Sequence, residues 1–79
     1  MPPSEPVSEI DARGLLCPLP VLKLRKRIGA LAPGDEVRLI ATDPAAVIDV
    51  PHYCAEAGHE LMRTEEAGEA TVYVVRKVG

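Results

Sequence analysis

The two cysteines are the most reactive side chains in this 79-residue chain, and they stand in different surroundings. Cys17 lies in Arg13-Gly14-Leu15-Leu16-Cys17-Pro18-Leu19-Pro20-Val21, where a glycine turn delivers it to the mouth of a helix. Pro18 suits the first helical position, because its φ is already helical and its missing N–H would have had no partner there. That puts Cys17 at or near the N-cap, where the positive end of the helix dipole favours a thiolate. Pro20 deletes a second donor, which leaves mainly the N–H groups of Leu19 and Val21 to hold the sulfur. The expected group is a thiolate that is favoured, uncapped and available to react. A lone cysteine is more often core filler. Cys17 departs from that habit by sitting between a turn and a helix start instead of on an apolar periodic face.

Other chemistry is thinly represented. Cys54 shares an apolar helical face with Val50, Tyr53 and Ala57 and reads as a buried core thiol. A bridge to Cys17 would need Cα atoms within about 7 Å, which a helix mouth and a core-facing mid-helix position do not offer. His52 and His59 invite a zinc reading. Yet His52 and Cys54 point to different sides of a helix, His59 lies beyond its stop, and no C-x-x-C pair is present, so no metal is expected. There is no phosphate-binding glycine loop and no Ser/His/Asp set. Asp11, Asp43 and Asp49 are explained as strand, turn and cap residues. Asp43 also ends a strand next to the helix mouths, which makes it a candidate neighbour of the site.

The elements that must position Cys17 follow from periodicity. Val7 to Ala12 alternates and predicts a first strand. Pro18 to about Leu31 is the clearest helix, with Val21, Leu24, Ile28 and Leu31 at helical spacing and Leu22 broadening the stripe. Lys23, Lys26 and Arg27 gather on the opposite side with Arg25 beside them. In an acidic chain they form either a solvated face or a docking surface for an acidic partner. Glu36 to Thr42 predicts a second strand. Asp43 opens a short helical turn through Ile48, and Asp49-Val50-Pro51 reads as a second helix start with Asp49 as its cap. Gly58 stops that helix. Glu60 to about Glu65, a turn at 66–69 and Ala70 to Lys77 predict a hairpin whose second strand lies centrally in the sheet. The order β-α-β-α-β-β predicts an α+β fold: a two-layer α/β sandwich with both helices on one face of a four-stranded mixed sheet. Residues 1–6 read as a flexible tail and 7–79 as one domain.

Composition narrows the classes. A formal charge of −3 argues against direct binding of nucleic acid, which needs cationic neutralisation of phosphates. No apolar run approaches the roughly 20 residues of a membrane span, and the N-terminus lacks the features of a signal peptide. The expected setting is the cytoplasm, where two cysteines remain thiols.

Asp11-Ala12-Arg13-Gly14-Leu15-Leu16-Cys17-Pro18-Leu19-Pro20 resembles the signature of the TusA/SirA-like sulfur-carrier family. The likeness continues through Pro33-Gly34-Asp35, Asp43-Pro44-Ala45, Asp49-Val50-Pro51, Cys54 and His59-Glu60-Leu61. Family members are two-layer β-α-β-α-β-β sandwiches. The resemblance implies a monomer without cofactor, in which Cys17 carries a persulfide, with Arg13, Gly14, Pro18, Pro20 and Asp43 supporting the site. Sulfane sulfur would arrive from a cysteine desulfurase or a rhodanese-type donor and pass to an acceptor protein. In relatives it serves tRNA thiolation, molybdenum-cofactor assembly or sulfur oxidation. Leu19 and Ile48 stand where the tRNA-thiolation member has a glutamate and an arginine, a difference that bears on partners and leaves persulfide chemistry intact. Lys23, Lys26 and Arg27 are the expected docking face. Two other readings compete: a thiol redox protein using Cys17, and a non-catalytic binding or regulatory module.

Overall fold

Alternating apolar and charged residues make half-buried strands, and each predicted strand forms. In the computed structural model, which describes residues 8–79, β1 (Ser8–Ala12) runs parallel to β2 (Glu36–Ala41), with Ile10 opposite Leu39 and Ala12 opposite Ala41. The tail expected over residues 1–6 lies outside the described residues. Between these strands α1 (Leu19–Gly29) crosses over, and α2 (Ala46–Ala57) follows β2. The chain closes with the hairpin β3 (Glu60–Ala67) and β4 (Ala70–Arg76). The sheet order is β1-β2-β4-β3, with β4 antiparallel to both neighbours. The fold is thus the expected α+β arrangement, a four-stranded mixed sheet with two helices.

The core lies between sheet and helices. Leu24 and Ile28 of α1 and Val50 and Cys54 of α2 meet Val37, Leu39, Tyr73 and Val75 of the sheet. Val72 and Val74 are also buried, which the central place of β4 explains. They are flanked in register by Ile40 and Arg38 of β2 and by Glu65 and Arg63 of β3. Two details correct the sequence reading of the core. Leu22 is exposed, so the buried stripe of α1 is narrower than expected, and Ala57 is exposed at the end of α2. The hairpin turn is also tighter: the strands pair as far as Ala67 and Ala70, leaving Gly68-Glu69 as the loop.

The second helix differs most. Asp49 was expected to cap a new start, but α2 runs unbroken from Ala46 with Pro51 inside it. Pro51 costs a single bond, the one its N–H would have made to Val47. Burial of Ala46 and Val50 on one side of it and Cys54 on the other holds the axis through that gap. The helix ends at Gly58, whose φ of +81° lets its N–H return to the Cys54 carbonyl at 2.9 Å.

Candidate functional site

Two connections bring the ends of β1 and β2 together at Cys17. After β1, Gly14 takes φ +81° in a turn closed by the Leu15 N–H on the Ala12 carbonyl at 3.2 Å. Its own N–H donates to Thr42 Oγ1 at 2.9 Å and ties the turn to the end of β2. The Leu19 N–H donates to the Leu16 carbonyl at 2.8 Å, around a Cys17–Pro18 bond that is cis. After β2, Asp43 serves two segments at once. Its Oδ1 accepts the Ala45 N–H at 3.1 Å and opens the turn into α2, while its Oδ2 accepts the Cys17 N–H at 2.5 Å. Asp49, freed from capping, lies in the first turn of α2, and its Oδ2 accepts a hydrogen bond from Cys17 Sγ at 2.9 Å.

These carboxylates set the electrostatics. Cys17 is held above the ordinary thiol value by the hydrogen bond to Asp49, then by partial loss of solvent, then by the charges of Asp49 and Asp43. The expected thiolate is therefore not the resting form. Pro18 is the N-cap and not the first helical residue, so Cys17 lies one position outside the helix. A full negative charge at hydrogen-bond distance outweighs half a positive charge farther off. The Leu19 N–H, expected to hold the sulfur, is spent on Leu16.

Other predicted residues fall in two groups. Pro20, in the first turn of α1, is buried, Asp43 binds the Cys17 N–H, and Gly14 ties the preceding turn to Thr42. Arg13 turns away: its Nε and Nη2 fork onto Asp11 at 2.9 Å each and hold that carboxyl down at about 2. Lys23, Lys26 and Arg27 line a separate hollow with Ile10 and Ala30, and Arg27 Nη1 bonds Ser8 Oγ at 2.5 Å. The cation that lines the hollow open to Cys17 is Arg25. With Leu22 of α1 and Asp49, His52, Tyr53 and Glu56 of α2 it walls this hollow of about 310 Å³. Sequence reasoning missed Asp49 and Arg25 as site neighbours. Asp49 carried a signal, the D-x-P spacing, but one that pointed to a helix cap.

The family model for Sulfurtransferase TusA matches residues 8–77. A Sulfur carrier protein TusA from Pseudomonas paraeruginosa (strain DSM 24068 / PA7) is 43% identical over 75 residues, covering 94% of this chain and 95% of the relative. Another of the same name from Pseudomonas aeruginosa (strain LESB58) is 43% identical over 68 residues, covering 86% of each chain. The chain belongs to the TusA family. Sulfur-relay carriage comes with that membership, and it requires a sulfur that a second protein can touch. Of the two free thiols in this TusA-family chain, Cys17 is exposed and Cys54 is 2% exposed. Loss of solvent pushes the Cys54 thiol up to about 11, so at neutral pH it is an un-ionised core group.

Proposed function

We propose that this TusA-family chain carries sulfane sulfur as a persulfide on Cys17, in the cytoplasm and as a monomer. The observation that carries the reading is the exposed Sγ at the junction of the two βα connections, with the second thiol buried in the core. A carrier needs access and no resolving cysteine nearby that would expel the sulfur as sulfide. The donor is a cysteine desulfurase or rhodanese-type protein, and the acceptor is a further protein thiol in tRNA thiolation, cofactor assembly or sulfur oxidation. The neighbourhood supports protein partners. Leu16, Leu19 and Leu22 on one connection and helix, and Val47 and Ile48 just before Asp49, are large, apolar and exposed. Arg25 lines the hollow that opens at Cys17, and Lys23, Lys26 and Arg27, around a separate hollow of the same helix, are the proposed docking cations.

Incubation with a cysteine desulfurase and cysteine, followed by intact-mass measurement, tests this. The wild-type chain and Cys54→Ser are expected to gain the mass of sulfur, and Cys17→Ser to gain none. Loading that persists in folded Cys17→Ser, or that is lost in folded Cys54→Ser, refutes Cys17 as the single carrier. Oxygen added under peroxide, with no sulfur added from the donor, supports the redox thiol instead.

A further inference from the structure

We propose that Asp49 is a further catalytic residue of the sulfur site: its carboxylate holds the empty Cys17 as a thiol and takes its proton when sulfur is loaded. The inference rests on the reading of Cys17 as the sulfur carrier. Its ground is geometry that the family assignment does not supply. Asp49 Oδ2 stands 2.9 Å from Cys17 Sγ, 32 positions away in sequence, and the helix cap that Asp49 was expected to make is left unmade. Asp43 pins the cysteine backbone from the β2–α2 connection, which fixes the direction in which the sulfur meets Asp49. The charged and titratable groups that line the hollow beside Cys17 are Arg25 on α1 and Asp49, His52, Tyr53 and Glu56 on α2.

A thiol in this setting attacks small electrophiles slowly, since the thiolate is the nucleophile and two carboxylates oppose its formation. That protects a carrier between partners. In loading, the Cys17 sulfur attacks the outer sulfur of the donor persulfide, R–S–SH. A new S–S bond forms on Cys17 and the donor's S–S bond breaks, its electron pair leaving on the donor sulfur. The Cys17 proton passes to Asp49 and then to that leaving thiolate. The products are Cys17–S–SH and R–SH, with no net oxidation or reduction. Asp49 thus slows stray reactions and assists the intended one.

Two rates test this on the full chain: alkylation of empty Cys17 by iodoacetamide across pH, and loading by cysteine persulfide. In wild type, the alkylation midpoint should lie above the ordinary cysteine value of about 8.5. In Asp49→Asn it should fall, raising alkylation at pH 7 several-fold, while loading at pH 7 slows or gains far less. Asp49→Glu should return both rates toward wild type. A structural role alone would not separate the two rates in this way. A wild-type midpoint at or below about 8.5, an unchanged midpoint in folded Asp49→Asn, or loading that rises in step with alkylation would each overturn the proposal. Where Asp49→Asn fails to fold, a wild-type midpoint at or below about 8.5 still overturns the proposal, and Asp49→Glu supplies the second variant. Alkylation involves no sulfur transfer, so a chain that cannot be loaded fails the carrier reading without touching this result.

Discussion

At the scale of single residues, the two thiols are separated by what surrounds them. Cys54 is raised from 9.0 to about 11 by desolvation alone, whereas Cys17 is raised mainly by the carboxylate that accepts its hydrogen bond. In the unfolded chain Cys54 ionises near 9; in the fold it keeps its proton to about 11. Between those values the unfolded state binds fewer protons than the native state, so stability falls as pH rises, by about 1.4 kcal/mol per pH unit. Denaturant titrations from pH 8 upward should show this slope in wild type, and Cys54→Ala should lose that part of it. Cys17, Tyr53 and Tyr73 are also raised and remain in the variant; Tyr53 is raised partly by Cys54, so the difference between the chains reads Cys54 together with that coupling. Equal slopes would mean that Cys54 is wetter than its burial implies. Cys17 was legible in the sequence because its cues are local: a glycine before it and prolines at 18 and 20. Asp49 was not legible as its partner. A bond across 32 positions depends on where α2 sits, and the local rule for an aspartate two residues before proline predicts a cap.

At the scale of elements, α1 is a narrow amphipathic helix that buries Leu24 and Ile28 and leaves Leu22 at 47% exposure on the rim of the sulfur hollow. Leu24→Ala should therefore destabilise the domain by about 2–5 kcal/mol, the range for buried leucines. Leu22→Ala should change stability by about 0.5 kcal/mol or less and act instead on partner binding. Denaturant midpoints that rank these two the other way would mean that the helix is rotated from the face described. The 3.6-residue period made α1 readable, because Leu24 and Ile28 are four apart and contact the same sheet. It misjudged Leu22 since a stripe seen in sequence has no width until a second helix or a hollow lies beside it. For α2 the local signals conflicted. Asp43-Pro44 and Asp49-Val50-Pro51 each look like a start, yet the turn bonds from Ala46 to Asp43 and from Asp49 to Ala45 lead into one helix. Tertiary burial of Val50 and Cys54 outweighs the one bond that Pro51 removes.

At the scale of the molecule, the order of elements was readable because right-handed crossovers place both helices on one face and leave a slot that the final hairpin fills with β4. The distribution of charge was harder to read, since it depends on which side chains end up on which face. The molecule measures 33 × 28 × 19 Å, while charges are screened over about 8 Å at physiological salt. A partner approaching Cys17 therefore responds to the helix layer more than to the net charge of −3. Within that layer Arg25 borders the sulfur hollow, Lys23 and Lys26 lie along the same helix, and Arg27 is tied to Ser8 of β1. Reversing Arg27 would disturb the strand edge as well as the field, so the informative variants are Arg25→Glu and the pair Lys23→Glu/Lys26→Glu. Rim charges act mainly on association rate and fade with salt. The double variant should slow persulfide transfer between proteins at low salt, converge on wild type at high salt, and leave alkylation of Cys17 by neutral iodoacetamide nearly unchanged. Arg25→Glu should slow protein transfer more, and retain part of the defect at high salt, because Arg25 lines the hollow that opens at Cys17. Transfer timed at two ionic strengths distinguishes the outcomes. Equal low-salt rates for the double variant and wild type would return Lys23 and Lys26 to a solvated face and leave Arg25 as the docking cation.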